Sequence, residues 1–451
     1  MKNMLWGLLL LPLFAQATTI AVIDSGVDVE HVDFTNNIWM NPTEIADNGR
    51  DEDRNGYQDD VYGWNFAEQN NLVIDRKYLG TFSNDPYKLF EIQERVILDT
   101  VTEADMKWLE EKKKDPKFMK EVQKFGNFIH GTHVAGISVD KTDSQIISVK
   151  LIPTEVLPSV NRANAENPYG DVPKDLRMNL VKYLLGQLAA QQALALEEIG
   201  AYVNGHKADI ANGSFGTGFK QAAMIGAIVY KTVFGKNPSQ KHLVEVTYHF
   251  MMTLIKESKQ MVDAAPNTLF VFAAGNDGSN NDIMPTSPTN IDAKNVISVA
   301  ATFKRNVLAN FSNYGKKTVD VAAPGVIINS QIPGNEYIKV SGTSQAAPYV
   351  ANIAAQIKTV NPALKPSQIK KIIMNTVDEK GFLKGKVKSN GIVNAQRAVV
   401  AAEHTLSGRT IDSAIKLAKV EIADIESDIL GTEKTILPFI VPIQLPAQFK
   451  L

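Results

Sequence analysis

Three side chains in this sequence, Asp24, His130 and Ser344, are of the types that together attack a carbonyl carbon. The alcohol is the nucleophile, the imidazole takes its proton near neutral pH, and the carboxylate orients the imidazole and stabilises its charged form. Ser344 lies in Gly342-Thr343-Ser344-Gln345-Ala346-Ala347-Pro348, a small-residue turn between the strand-like residues 337–340 and an apolar helix over 349–357. The first turn of a helix has free N–H groups and a positive dipole end, which favour a developing negative charge. The same Gly-Thr-Ser is also what an ordinary N-cap looks like. Asp24 closes the run Ile20-Ala21-Val22-Ile23, which reads as a buried strand, and His130 is expected to stand at the start of a second helix, in His130-Gly131-Thr132-His133-Val134-Ala135-Gly136.

The elements that must carry these residues alternate. Strand-like segments at 145–152, 208–216, 269–278, 296–301 and 319–325, several ending in a small-residue turn, are separated in part by helical ones, notably 180–203, 220–262 and 349–357. Such alternation predicts an α/β fold of three layers, a mostly parallel sheet with helices on both faces.

Composition bounds the rest. A chain of 451 residues, 44% hydrophobic and 21% charged, is long and apolar enough for one large domain with additions. A net charge of −2 gives no electrostatic basis for nucleic acid as a partner. Cysteine is absent, which excludes disulfides, thiolate catalysis and cysteine-ligated zinc together. Residues 1–17 carry one early lysine, an apolar run over 4–14 and the small-x-small triplet Ala15-Gln16-Ala17, so a secretory signal cleaved after Ala17 is expected. No later stretch reaches about 18 uninterrupted apolar residues, so no transmembrane helix is expected. Stability outside the cell would then come from core size or bound metal.

The residues around Asp24, His130 and Ser344, met in that chain order, resemble the three signature motifs of the subtilisin-like serine proteases, the subtilases. The resemblance extends over roughly residues 18–402 and implies the subtilisin-like version of the fold, with an Asp24-His130-Ser344 triad in a secreted endopeptidase acting on protein or peptide substrates. It implies that Asn276, in Ala273-Ala274-Gly275-Asn276, donates its amide to the oxyanion. Read without it, Asn276 adopts a left-handed turn beside Gly275. It also implies that Ser214-Phe215-Gly216 pairs with an extended substrate and that Ala273, Ala274 and Gly275 help to form the primary pocket, with small side chains that leave it roomy. His133 reads as a structural neighbour, hydrogen-bonded inside. Members of the family usually carry a propeptide between signal and catalytic domain; with Asp24 six residues beyond Thr18 (24 − 18 = 6), none is expected here. A catalytically silent binding protein on the same scaffold and an esterase of the α/β-hydrolase type, prompted by Gly-x-Ser-x-Ala at 342–346, are the alternatives. In the latter fold the acid and His follow the Ser, the reverse of this order.

Asp24 and His130 are 106 positions apart (130 − 24 = 106), a wider gap than compact subtilisins have. Within it, Asp51, Asp53, Asn55, Gly56 and Asp59 copy positions 1, 3, 5, 6 and 9 of a calcium loop, although Tyr62 replaces the bidentate Glu. Structural calcium on Asp51, Asp53, Asn55 and Asp59 and a solvated acidic turn both remain open. Residues 86–123, rich in Glu and Lys with apolar residues at helical spacing, read as one or two surface helices rather than a lid. Insertions are thus expected near 38–128, 153–206 and 217–266. Residues 403–451 form a C-terminal extension with a helix over 410–425 and a Pro-punctuated apolar tail at 436–442, expected to pack along the domain.

Overall fold

A computed structural model describes residues 17–155, 169 and 172–426. Most of the expected leader and the apolar tail at 436–442 lie outside the described residues. The strands are β1 (Thr19–Asp24), β2 (Gly63–Asn65), β3 (Gln145–Lys150), β4 (Ile210–Gly213), β5 (Leu269–Ala273), β6 (Val296–Phe303), β7 (Val307–Leu308), β8 (Val321–Pro324), β9 (Ile328–Ile332), β10 (Glu336–Val340), β11 (Asp378–Glu379) and β12 (Gly391–Ile392). The helices are α1 (Asn84–Leu98), α2 (Glu103–Lys112), α3 (Pro116–Val139), α4 (Arg177–Gly205), α5 (Phe219–Phe234), α6 (Gln240–Ala264), α7 (Thr343–Val360), α8 (Pro366–Asn375), α9 (Ala395–Leu406) and α10 (Ile411–Glu421).

The central sheet runs β11-β12-β8-β6-β5-β4-β1-β3-β2, with β7 paired to β6. All pairs from β12 to β2 along that path are parallel. Its middle strands are apolar at successive positions because both faces are covered. In β1, Ile20 and Val22 point to a core shared with α3, α7, α8 and α9, whereas Ala21 and Ile23 point to a core shared with α4 and α6. The expected three-layer α/β architecture is therefore present. Among the described residues no helix is long and apolar enough to cross a membrane.

Two element boundaries differ from the sequence reading. Helix α3 begins at Pro116, not near His130, so the end of the charge-rich insertion, from 116 to 123, and the histidine segment form one continuous helix of 24 residues. Asp115 caps it by accepting from the Lys117 N–H, and Pro116 supplies a preset first turn. Phe118, Val122, Phe125 and Ile129, at helical spacing, are all buried, the first two against Leu89, Ile92 and Leu109 of α1 and α2. Burial of this stripe outweighs the break suggested by composition. At the other end, residue 402 falls inside α9, and α10 adds Ile415 and Ala418 to the main core. Arg397 holds the segment that follows through Ile422 O at 2.9 Å and Asp424 at 2.7 Å. Residues 403–426 thus pack against the same core.

Candidate active site

Asp24 is the last residue of β1 and is fully buried. Its Oδ1 accepts from the Ser25 N–H at 2.7 Å and lies 2.6 Å from His130 Nδ1. Ser25 Oγ in turn accepts from the Gly131 N–H at 3.0 Å, tying the strand end to the helix that carries the histidine. Gly131 permits this approach: a Cβ there would stand 2.2 Å from Gly26 O. The histidine lies in the middle of α3, so its position is set by packing of the helix against β1 and not by a helix start.

Ser344 is the second residue of α7, after Gly342 and Thr343. Its position lets its own N–H stand among the orphan donors of the first turn. At rest its hydroxyl donates to Ser214 O at 3.2 Å, and the Ser214 hydroxyl donates to Ser344 O at 3.0 Å. Asn276 is oriented from its carbonyl end: Oδ1 accepts from the Thr343 N–H at 2.8 Å and the Thr343 hydroxyl at 2.9 Å. The amide nitrogen is thereby left to the cleft. The left-handed backbone in this turn belongs to Gly275 (φ 104°) and not to Asn276.

His130, Ser344 and Asn276 line one cavity of about 680 Å³, together with Ser214, Phe215 and Gly216. Ala273 and Gly275 also line it; Ala274 does not. That side chain is fully buried on the other side of the chain, against Ala300, Val319 and Ala322. Its N–H donates to Val299 O at 2.9 Å, and its carbonyl accepts from Asn281 Nδ2 at 2.8 Å. Alternation along an extended segment puts neighbours on opposite faces, so Ala273 and Ala274 could not both face the cleft. Strand β4 itself is paired on both sides, with β1 and β5. Residues 214–216, which line the cleft, lie past its carboxyl end.

His133 is fully buried, with Nε2 3.1 and 3.0 Å from Ile328 O and Ile338 O. Burial depresses its pKa to about 3, so it is neutral at ordinary pH, and Gln345 Nε2 stands 3.5 Å from its Nδ1. It fixes the β9–β10 hairpin, as its reading as a structural neighbour implied. The cleft also has walls that no motif indicated: Phe90 from α1 and Lys220, Gln221, Met224, Ile225 and Ile228 from α5. The helical periodicity of both segments was legible, but nothing local tells which stripe of a helix faces a distant cleft.

In the acidic loop the carboxylates of Glu44, Asp51 and Asp53 each offer an oxygen within 4.8 Å of the others. Glu44 Oε2 is buried with no hydrogen-bond partner among the described residues, and burial raises the pKa of this carboxyl. Three converging hard oxygen donors fit a divalent cation such as calcium. Asp59 is not among them; it accepts from the Asn48 and Gly49 N–H groups at 3.1 and 3.0 Å. Asn55 turns its carbonyl oxygen elsewhere, accepting from the Tyr57 N–H at 2.7 Å, while its Nδ2 donates to Asp53 at 3.2 Å and Asp60 at 3.0 Å. Glu44 precedes the motif by seven positions (51 − 44 = 7), outside any spacing rule for the loop.

A parallel α/β sheet that delivers a carboxylate from a strand end and a serine from a helix start, with an imidazole hydrogen-bonded to the first and in one cleft with the second, defines the serine-hydrolase class of site. Residues 15–399 match the model of the subtilase family, and the chain belongs to that family. It is similar to "Subtilisin-like protease 1" of Plasmodium vivax, 28% identical over 424 residues that cover 88% of this chain and 51% of that protein. It is also similar to "Alkaline elastase YaB" of Bacillus sp. (strain YaB), 38% identical over 134 residues, 30% of this chain and 33% of that one. The matches thus span about half or less of these curated relatives' lengths. Among solved structures, a cold adapted subtilisin-like serine proteinase aligns with a TM-score of 0.45 and 18% identity over 84% of this chain and 88% of that chain.

Proposed function

We propose that this protein is an exported serine endopeptidase that hydrolyses peptide bonds through an acyl-enzyme on Ser344. The observation that carries the reading is the 2.6 Å contact of His130 Nδ1 with buried Asp24, in the cleft that Ser344 and Asn276 share. Ser344 Oγ leaves Ser214 O, attacks the substrate carbonyl carbon and gives its proton to His130 Nε2. Negative charge moves to the carbonyl oxygen, where the Asn276 amide and the Ser344 N–H donate to it. Collapse of the tetrahedral species breaks the C–N bond, and His130 returns the proton to the departing amine. Water then repeats the sequence against the ester. Residues 214–216 hold the peptide in extended form, and Ala273, Gly275 and Gly216 keep the pocket beside Ser344 open.

Export is part of this reading and rests on the leader-like residues 1–17. The test is direct: the secreted protein should react with a fluorophosphonate and cleave casein. Neither reaction would favour a silent scaffold; ester turnover without peptide turnover would favour an esterase.

The oxyanion assignment makes a separate prediction. Asn276→Leu should lower kcat by about 10²–10³ with KM changed by no more than a few fold, because the donor acts on charge that develops only in the transition state. A rise in KM at constant kcat would make Asn276 a ground-state contact instead.

We also infer that Glu44, Asp51 and Asp53 hold a structural calcium ion, in place of the four ligands expected from the motif. Support comes from their convergence and from the orphaned Glu44 oxygen. Saturation at about 100 times Kd stabilises a fold by about 2.7 kcal/mol, so chelation should lower Tm by several degrees and added calcium restore it. In Glu44→Gln/Asp53→Asn the response should vanish; a wild type indifferent to chelator would remove the ion from the account.

A further inference from the structure

We propose that helix α5 makes the cleft selective along its length, so that a preferred peptide carries large apolar side chains at two alternate positions ahead of the cleaved bond. The inference rests on the endopeptidase reading and names its substrate class. Helix α5 leaves the chain directly after residues 214–216, and its Lys220, Gln221, Met224, Ile225 and Ile228 line the cavity that holds Ser344. From Lys220 to Ile228 is eight residues (228 − 220 = 8), about 12 Å of helix at about 1.5 Å each. That is the length of about four residues of extended chain.

Met224 and Ile228 are 61% and 55% exposed, while Val229, Tyr230 and Val233 of the same helix pack in the core with α4 and α6. They are therefore not needed to hold α5 in place. Scattered exposed apolar residues are ordinary on a protein surface; two on one helix face, one turn apart, lining a cleft with a nucleophile are not. Their separation of about 6 Å along the helix is close to the about 6.6 Å between same-side residues of an extended strand. The lining away from α5 also includes the apolar Phe90, Ile129 and Val340. The charged lining residues, Lys220 and Asp277, are paired at 3.5 Å, so a charged substrate side chain must compete with that pair.

The experiment uses the full secreted protein and matched internally quenched peptides with Leu at both, one or neither of two alternate positions before the scissile bond, Ala otherwise. Each Leu should raise kcat/KM by about 10-fold, a modest value for one apolar contact at an open wall. Met224→Ser should abolish one of the two steps, Ile228→Ser the other, and the double variant should leave a ratio near one. Met224→Leu and Ile228→Leu should keep the steps, and melting curves of the serine variants should stay near wild type because both sites are exposed. A wild type that cleaves these peptides without the double preference, or serine variants that retain it, overturns the proposal while sparing the endopeptidase reading. Absence of fluorophosphonate labelling and of any cleavage overturns both.

Discussion

Ser344→Ala is expected to lower kcat on peptide substrates by about 10⁶-fold and to abolish fluorophosphonate labelling, with the melting curve near that of wild type. The fold should hold because Ser344 is small and the bond lost, its hydroxyl to Ser214 O at 3.2 Å, leaves an acceptor at a cleft that water can enter. His130→Ala should cost about as much, and the double variant no more than either single one. Nucleophile and base act on the same proton, so removal of either ends the shared step and the effects do not add. Residual activity should reflect binding and the oxyanion donors alone, about 10³–10⁴ over water. Full labelling of Ser344→Ala at another serine would place the nucleophile elsewhere. A double variant far worse than the single ones would separate the two roles.

Asp24→Asn is expected to lower kcat by about 10⁴ with little change in KM. Both donors on this carboxylate, the Ser25 N–H and His130 Nδ1, meet the same oxygen, Oδ1, and Oδ2 is buried with no partner among the described residues. An asparagine amide can keep the shape of this contact. If its nitrogen faces Nδ1, the imidazole must carry its proton on Nε2 and cannot accept one from Ser344; in either orientation the charge that stabilises imidazolium is gone. Measurement of kcat and KM across pH separates this from a folding defect, because a misfolded fraction lowers active-site titre while a tautomer fault lowers the rate per titrated site. A loss below about 10-fold per active site would show that the carboxylate only packs.

Much of this site could be read from local sequence. The strand ending in Asp24, the small-residue turn around Ser344 and the parallel sheet that joins them are written in runs of a few residues, where apolar burial on both faces and backbone geometry leave few alternatives. His133 was likewise legible as a buried neighbour. The C-terminal helix also formed close to where its periodicity placed it.

What local sequence did not give shares one cause. Where α3 begins, which way Ala274 faces and which stripe of α5 lines the cleft are decided by partners far away in the chain. Phe118 and Val122 extend α3 because α1 and α2 are there to cover them. Ala274 is lost to the pocket because β6 and β8 bring Ala300 and Ala322 against it. Glu44 converges with Asp51 and Asp53, while the Asp59 carboxylate lies on the Asn48 and Gly49 N–H groups. Residue type and short-range spacing thus determined which chemistry the chain can offer, since they act through local backbone preference and alternation of faces. Only the tertiary structure decided which copies of those groups converge, because burial and hydrogen-bond satisfaction are settled between elements and not within them.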